Sequence, residues 1–170
     1  MRTTFRSMCS FSAAMPDSVS IGAYENLRNF RISRFEIPDG KRRQGPNPRL
    51  YSSKLLQWVE YTYIQSMEQM IPNYESFFDD SKYRPLMFEK TYKWHFTKPE
   101  LYKHYFEVFS AQIGKLPESQ TERIATIKQW IQDALSCYRE IKKVILLDDE
   151  SNDSHLPTWF NVLNSYQQSL

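Results

Sequence analysis

The side chains that could carry chemistry are few. They are three histidines, two cysteines, one glycine-flanked basic loop and one acidic run. His95, His104 and His155 are the candidate bases or metal ligands, and no two stand four residues apart, the spacing that sets two imidazoles on one helical face. Cys9 and Cys137 form no Cys-x-x-Cys pair, and a structural zinc site needs four ligands, mostly Cys and His. Gly40 and Gly45 have the spacing of a phosphate loop. The Lys and Ser/Thr that must follow are replaced by Pro46 and Asn47, so nothing would reach the phosphates or magnesium. A calcium loop opening at Asp148 would need Gly at its sixth position and Glu at its twelfth; Asp153 and Trp159 stand there. The acidic run therefore reads as a solvated loop. No Gly-x-Ser-x-Gly elbow occurs. Cys137 falls beside an apolar helical stripe, where a buried, inert thiol is expected. His95 and His104 flank an aromatic region and are candidate bases beside a pocket, although a histidine near an apolar face is more often structural.

Three other features suit binding better than catalysis. The first is an Arg-rich segment comprising Arg28, Arg31, Arg34, Lys41, Arg42, Arg43 and Arg49, interleaved with Phe30 and Phe35. Guanidinium forks pair with phosphate and aromatic rings stack on bases, so this segment is a candidate contact for nucleic acid or for an acidic partner. It also suits pairing with the acidic remainder of the same chain. The second feature is aromatic density between Tyr74 and Phe109. The chain holds 11 Tyr, 11 Phe and 4 Trp, and this stretch exceeds what a small core needs. Tyr and Trp serve interfaces because one end is apolar and the other hydrogen-bonds. Tyr83, Tyr92, Trp94, Tyr102 and Phe106 are the candidate protein-binding residues, with a pocket for a planar or lipidic ligand and plain core packing as the other readings. The third feature is an isoleucine stripe, Ile124, Ile127, Ile131, Ile141 and Ile145, a candidate contact for a second copy of the chain or the inner face of a helix in its own domain.

Charge is unevenly spread. Residues 1–50 carry nine basic and four acidic side chains, whereas residues 51–170 carry 13 basic and 16 acidic. The pI near 8.5 is modest for a dedicated nucleic-acid binder. Apolar residues at 41% and charged residues at 25% are ordinary globular values, so a proper core is available to 170 residues. Two cysteines do not make a disulfide scaffold, which points to an intracellular, reducing compartment. The Asn152-Asp153-Ser154 sequon has meaning only in a secreted chain. The first 15 residues hold Arg2, Arg6, several Ser and Thr, and no acid, so organelle targeting stands beside a plain tail as a reading of this segment.

The elements that must position these residues follow from periodicity. Phe30, Ile32, Phe35 and Ile37 suggest a bulged strand over 29–37, and Tyr92, Trp94 and Phe96 alternate with polar residues as its partner over 90–96; the alternative for 88–97 is a helix from Pro85. Asn47 as N-cap, Pro48 in the first turn and the face Leu56, Val59, Tyr63, Met67 and Met70 predict a helix from 48 to 71. Thr97 with Glu100 and Ser119 with Glu122 suggest capping boxes opening helices over 98–113 and 119–147, with Gly114 as a C-cap and the acids 148–150 as the later stop. A short amphipathic helix over 158–168 closes the chain.

The expected fold is mainly helical and bundle-like, a single domain with at most one small two-stranded β element and an extended basic N-terminal arm. Residues 1–47 make the flexible lead and Arg-rich arm, and residues 48–170 the helical domain. The function expected is that of a non-enzymatic interaction protein: an adaptor, a regulator or a small subunit of a larger assembly. It would bind a protein partner through the aromatic surface and the basic arm, with neither cofactor nor metal. An RNA- or DNA-binding protein using residues 28–49 is the alternative, and a small-molecule carrier or enzyme built on an aromatic pocket is the third reading.

Overall fold

Leu50, Tyr51, Leu55, Leu56, Trp58 and Val59 crowd one short stretch with large apolar side chains, more than the single stripe of a surface helix can bury. In the computed structural model, which describes Ala13, residues 47–148 and residues 151–169, they form a β-hairpin. Strand β1 (Arg49–Ser52) pairs antiparallel with β2 (Gln57–Glu60), in the register Arg49 to Glu60 and Tyr51 to Trp58. The helix expected from 48 is thus corrected: α1 runs only over Tyr61–Met70. Asn47 is not its cap; the Asn47 amide donates to Glu60 Oε2 at 2.9 Å, and Tyr61 N–H donates to Pro48 O. Ser53–Leu56 make the hairpin loop, with Leu56 in the left-handed region at φ 50° and buried.

After α1 come a 3-10 turn (Tyr74–Phe77), the short helix α2 (Arg84–Met87), α3 (Pro99–Gly114), α4 (Gln120–Ile141) and α5 (His155–Gln168). Among the described residues the chain is mainly helical, with this one two-stranded sheet. Residues 90–96 form no strand, so the expected β partner is also corrected; its proposed mate over 29–37 lies outside the described residues. So do Arg28, Arg31, Arg34, Lys41, Arg42 and Arg43.

Both faces of the hairpin are covered, which explains why its burial has no period of two. One face meets α3: the Tyr51 ring lies against Tyr105 and Phe109, and Trp58 against Tyr102 and Tyr105. On the other, Leu50, Ser52, Gln57 and Val59 are buried, and the Gln57 amide donates to Asn152 O beyond α4. Helix α4 buries Ile124, Ile127, Ile131, Ala134, Tyr138 and Ile141, the expected stripe, and packs on α5. These isoleucines and Ile145 are spent on the chain's own core, which corrects their reading as a contact for a second copy.

Helix α4 stops at Ile141, short of the acidic run. Beyond it the chain extends, with Ile145 and Leu147 buried and Leu146 91% exposed. Neither capping box forms: Lys98 and Ser119 are the N-caps of α3 and α4, and neither makes a side-chain capping bond. Thr97 instead bonds His95 Nδ1 at 2.7 Å. No described helix is long and apolar enough to cross a membrane.

Candidate interaction surface

Residues 88–98 join α2 to α3 without regular structure. Turns at Tyr92 N–H to Glu89 O and at Lys98 N–H to His95 O bracket an extended run. Along it Tyr92, Trp94 and Phe96 are partly buried, Tyr92 and Trp94 against the core and Phe96 against the His95 ring, while Thr91, Lys93, His95 and Thr97 are exposed. The alternation seen in the sequence is therefore an alternation of burial without a ladder.

Ring contacts hold the run in place. Trp94 stacks on Tyr61 of α1 with centroids 4.5 Å apart and planes at 15°. Tyr92 and Phe88 meet Trp94 edge to face at 5.5 and 6.5 Å, and Phe88 continues the cluster to Tyr74 and Phe78. The Tyr92 hydroxyl donates to Glu100 Oε2 at 3.3 Å; burial, and then that carboxylate, hold the phenol well above its ordinary pKa, so it stays a neutral donor. Tyr102 O–H donates to Phe96 O at 2.9 Å, fastening the end of the run to α3.

Cations sit over several of these rings. Lys82 Nζ lies 5.1 Å and Lys103 Nζ 5.8 Å from the Tyr83 centroid, Lys98 Nζ 5.6 Å from Tyr92, and the Arg84 guanidinium 5.4 Å from Phe88. Arg84 is also paired with Glu75 and Asp80.

The structure joins Tyr92 to Trp94 directly and Tyr102 to the same run through Phe96. Tyr83 belongs to the lysine-flanked end of the surface, and Phe106 packs on Tyr105, its ring partner among the described residues. Tyr61, Lys82, Lys98 and Lys103 escaped the sequence reading. The lysines had a visible signal, the spacing of cations among aromatics from 82 to 103; Tyr61 had none, because its contact with Trp94 is non-local. Arg49 pairs across the hairpin with Glu60 at 2.8 Å and is largely buried, which matches the reading of the basic segment as a partner for the acidic remainder of the chain.

The candidate bases are occupied otherwise. His104 is fully buried, with Nε2 3.0 Å from Tyr51 O and Nδ1 2.8 Å from Ser81 Oγ. His155 Nε2 approaches Leu56 O at 3.3 Å, and His95 is on the surface. A cleft of about 520 Å³ opens between the hairpin loop, α3 and α4, lined among others by Lys54, Asp79, Gln112, Trp130 and Cys137. Burial raises the Cys137 thiol's pKa, the reverse of what a nucleophile needs. Among the described residues no group of three or more His, Cys, Asp or Glu side chains could hold a metal ion.

No protein-family model, curated protein or solved structure matches the chain.

Proposed function

We propose that this chain is a non-enzymatic interaction protein, an adaptor, regulator or small subunit, which captures a protein partner on the aromatic surface formed by Tyr83, Tyr92, Trp94 and Tyr102. One observation carries the reading. An eleven-residue segment without regular structure, 88–98, is fixed by Trp94 stacked on Tyr61, and presents partly exposed aromatics alternating with exposed polar side chains. Rings held in place before binding lose little conformational freedom when a partner covers them, and Trp and Tyr dominate the energetic centres of interfaces. The N-terminal arginines would add a second contact, and an intracellular setting suits the reading.

A photo-crosslinking amino acid in place of Lys93, between Tyr92 and Trp94, tests this in cells. The expected result is a discrete crosslinked partner that does not form when the same group replaces Ser136 on the exposed face of α4. Identical crosslinks from both positions, or none from Lys93, would remove the surface from consideration.

A further inference from the structure

The aromatic surface is also the most basic part of the described chain. Residues 82–103 carry six basic side chains and two acidic ones, a net charge of +4, although residues 51–170 as a whole are acidic. Of the six, Arg84 is neutralised by Glu75 and Asp80. Among the described residues Lys82, Lys90, Lys93, Lys98 and Lys103 make no ion pair with a carboxylate, and all but Lys98 are exposed. Three of these ammonium groups rest over Tyr83 and Tyr92, so part of the rotamer freedom that a surface lysine loses on pairing is already lost.

We infer that the partner presents an acidic polypeptide segment, whose carboxylates pair with Lys82, Lys98 and Lys103 while its apolar side chains pack against the parts of Tyr92 and Trp94 that remain exposed, without stacking on a ring face. This rests on the proposed function above and names the chemistry of its partner. Charge complementarity selects the sign. The arrangement of the rings selects a polypeptide over a single-stranded nucleic acid. Base stacking needs an open ring face. Tyr83 carries two lysines, Tyr92 one, and Trp94 is contacted by Tyr61, Tyr92 and Phe88. The ammonium groups above the rings remain open to carboxylates.

Fluorescence anisotropy on the full chain tests the inference with three labelled probes: a peptide alternating Glu and Phe, the same peptide with Gln for Glu, and an oligothymidylate of matched charge. The Glu peptide should bind and weaken as salt rises. The Gln peptide and the oligothymidylate should bind at least about tenfold more weakly, and the triple substitution Lys82→Gln, Lys98→Gln, Lys103→Gln should cost the Glu peptide about tenfold. Circular dichroism of the triple variant should match that of the unchanged chain. Equal binding of the Glu and Gln peptides, an unaffected triple variant, or tighter binding of the oligothymidylate would each overturn the inference. A partner still crosslinked at Lys93 in that event would leave the interaction reading standing with a partner of different chemistry.

Discussion

Trp94 lies flat on Tyr61, centroids 4.5 Å apart and planes at 15°, and this contact ties the irregular segment 88–98 to helix α1. Aromatic pairs of this kind contribute about 0.5–1.5 kcal/mol beyond the area they bury. A double-mutant cycle on Tyr61→Ala and Trp94→Ala, read by urea denaturation, should return a coupling energy in that range. Additive substitutions would mean that the stack does not hold the segment.

The Tyr51 hydroxyl donates to Gln112 Oε1 at 2.8 Å across the buried hairpin–α3 face. Tyr51→Phe would remove the donor and leave a buried amide oxygen with less than its due. A loss of about 1–3 kcal/mol in urea denaturation is expected, with near-native circular dichroism.

Acid should weaken the fold through His104. Its Nε2 faces the Tyr51 carbonyl, an acceptor only, so that nitrogen carries the proton. Ser81 Oγ already accepts Tyr83 N–H and gives its own proton to Nδ1. A second proton on this buried ring is therefore unfavourable, and desolvation, the largest cause, lowers its pKa below the ordinary 6.5. Where the unfolded chain binds more protons than the folded one, stability rises with pH. The contribution of His104 is thus complete above about 6.5 and is lost as pH falls from there toward the depressed folded value. Urea midpoints measured over that window should fall with acid in the unchanged chain, and His104→Gln should lower the plateau and flatten the slope. An equal slope in both would show that other groups set the acid limb.

Asn73 sits in the left-handed region at φ 58° and is exposed. Asn tolerates that region and Gly adopts it without strain, whereas a β-carbon without a local hydrogen bond costs about 1–2 kcal/mol there. Asn73→Gly should leave the melting temperature near its starting value and Asn73→Ala should lower it.

The sequence was most legible where one face alone is buried. The stripe Ile124, Ile127, Ile131 keeps helical spacing because α4 has a single inner face, and α3 buries Leu101, Tyr105, Val108 and Gln112 as its spacing foretells. The stretch 49–60 hides its hairpin because a hairpin covered on both sides has no period, and Leu56 and Val59 match helical spacing with Tyr63 and Met67 by coincidence. The run at Tyr92, Trp94 and Phe96 shows that alternation reports an alternation of burial, not whether the backbone is paired. The candidate surface was half legible. Its rings could be named from composition, but the stack on Tyr61, the lysines resting on Tyr83 and the loss of Arg49 to Glu60 depend on residues far apart in the chain or on side-chain placement.

Capture of a protein partner at Trp94 is decided by the affinity of the partner crosslinked at Lys93 for the unchanged chain and for Trp94→Ala, with helical circular dichroism recorded on both. A buried tryptophan at the centre of an interface should cost about thirtyfold when truncated, with the helical signal intact. Equal affinities for two equally folded chains would mean that the partner binds elsewhere.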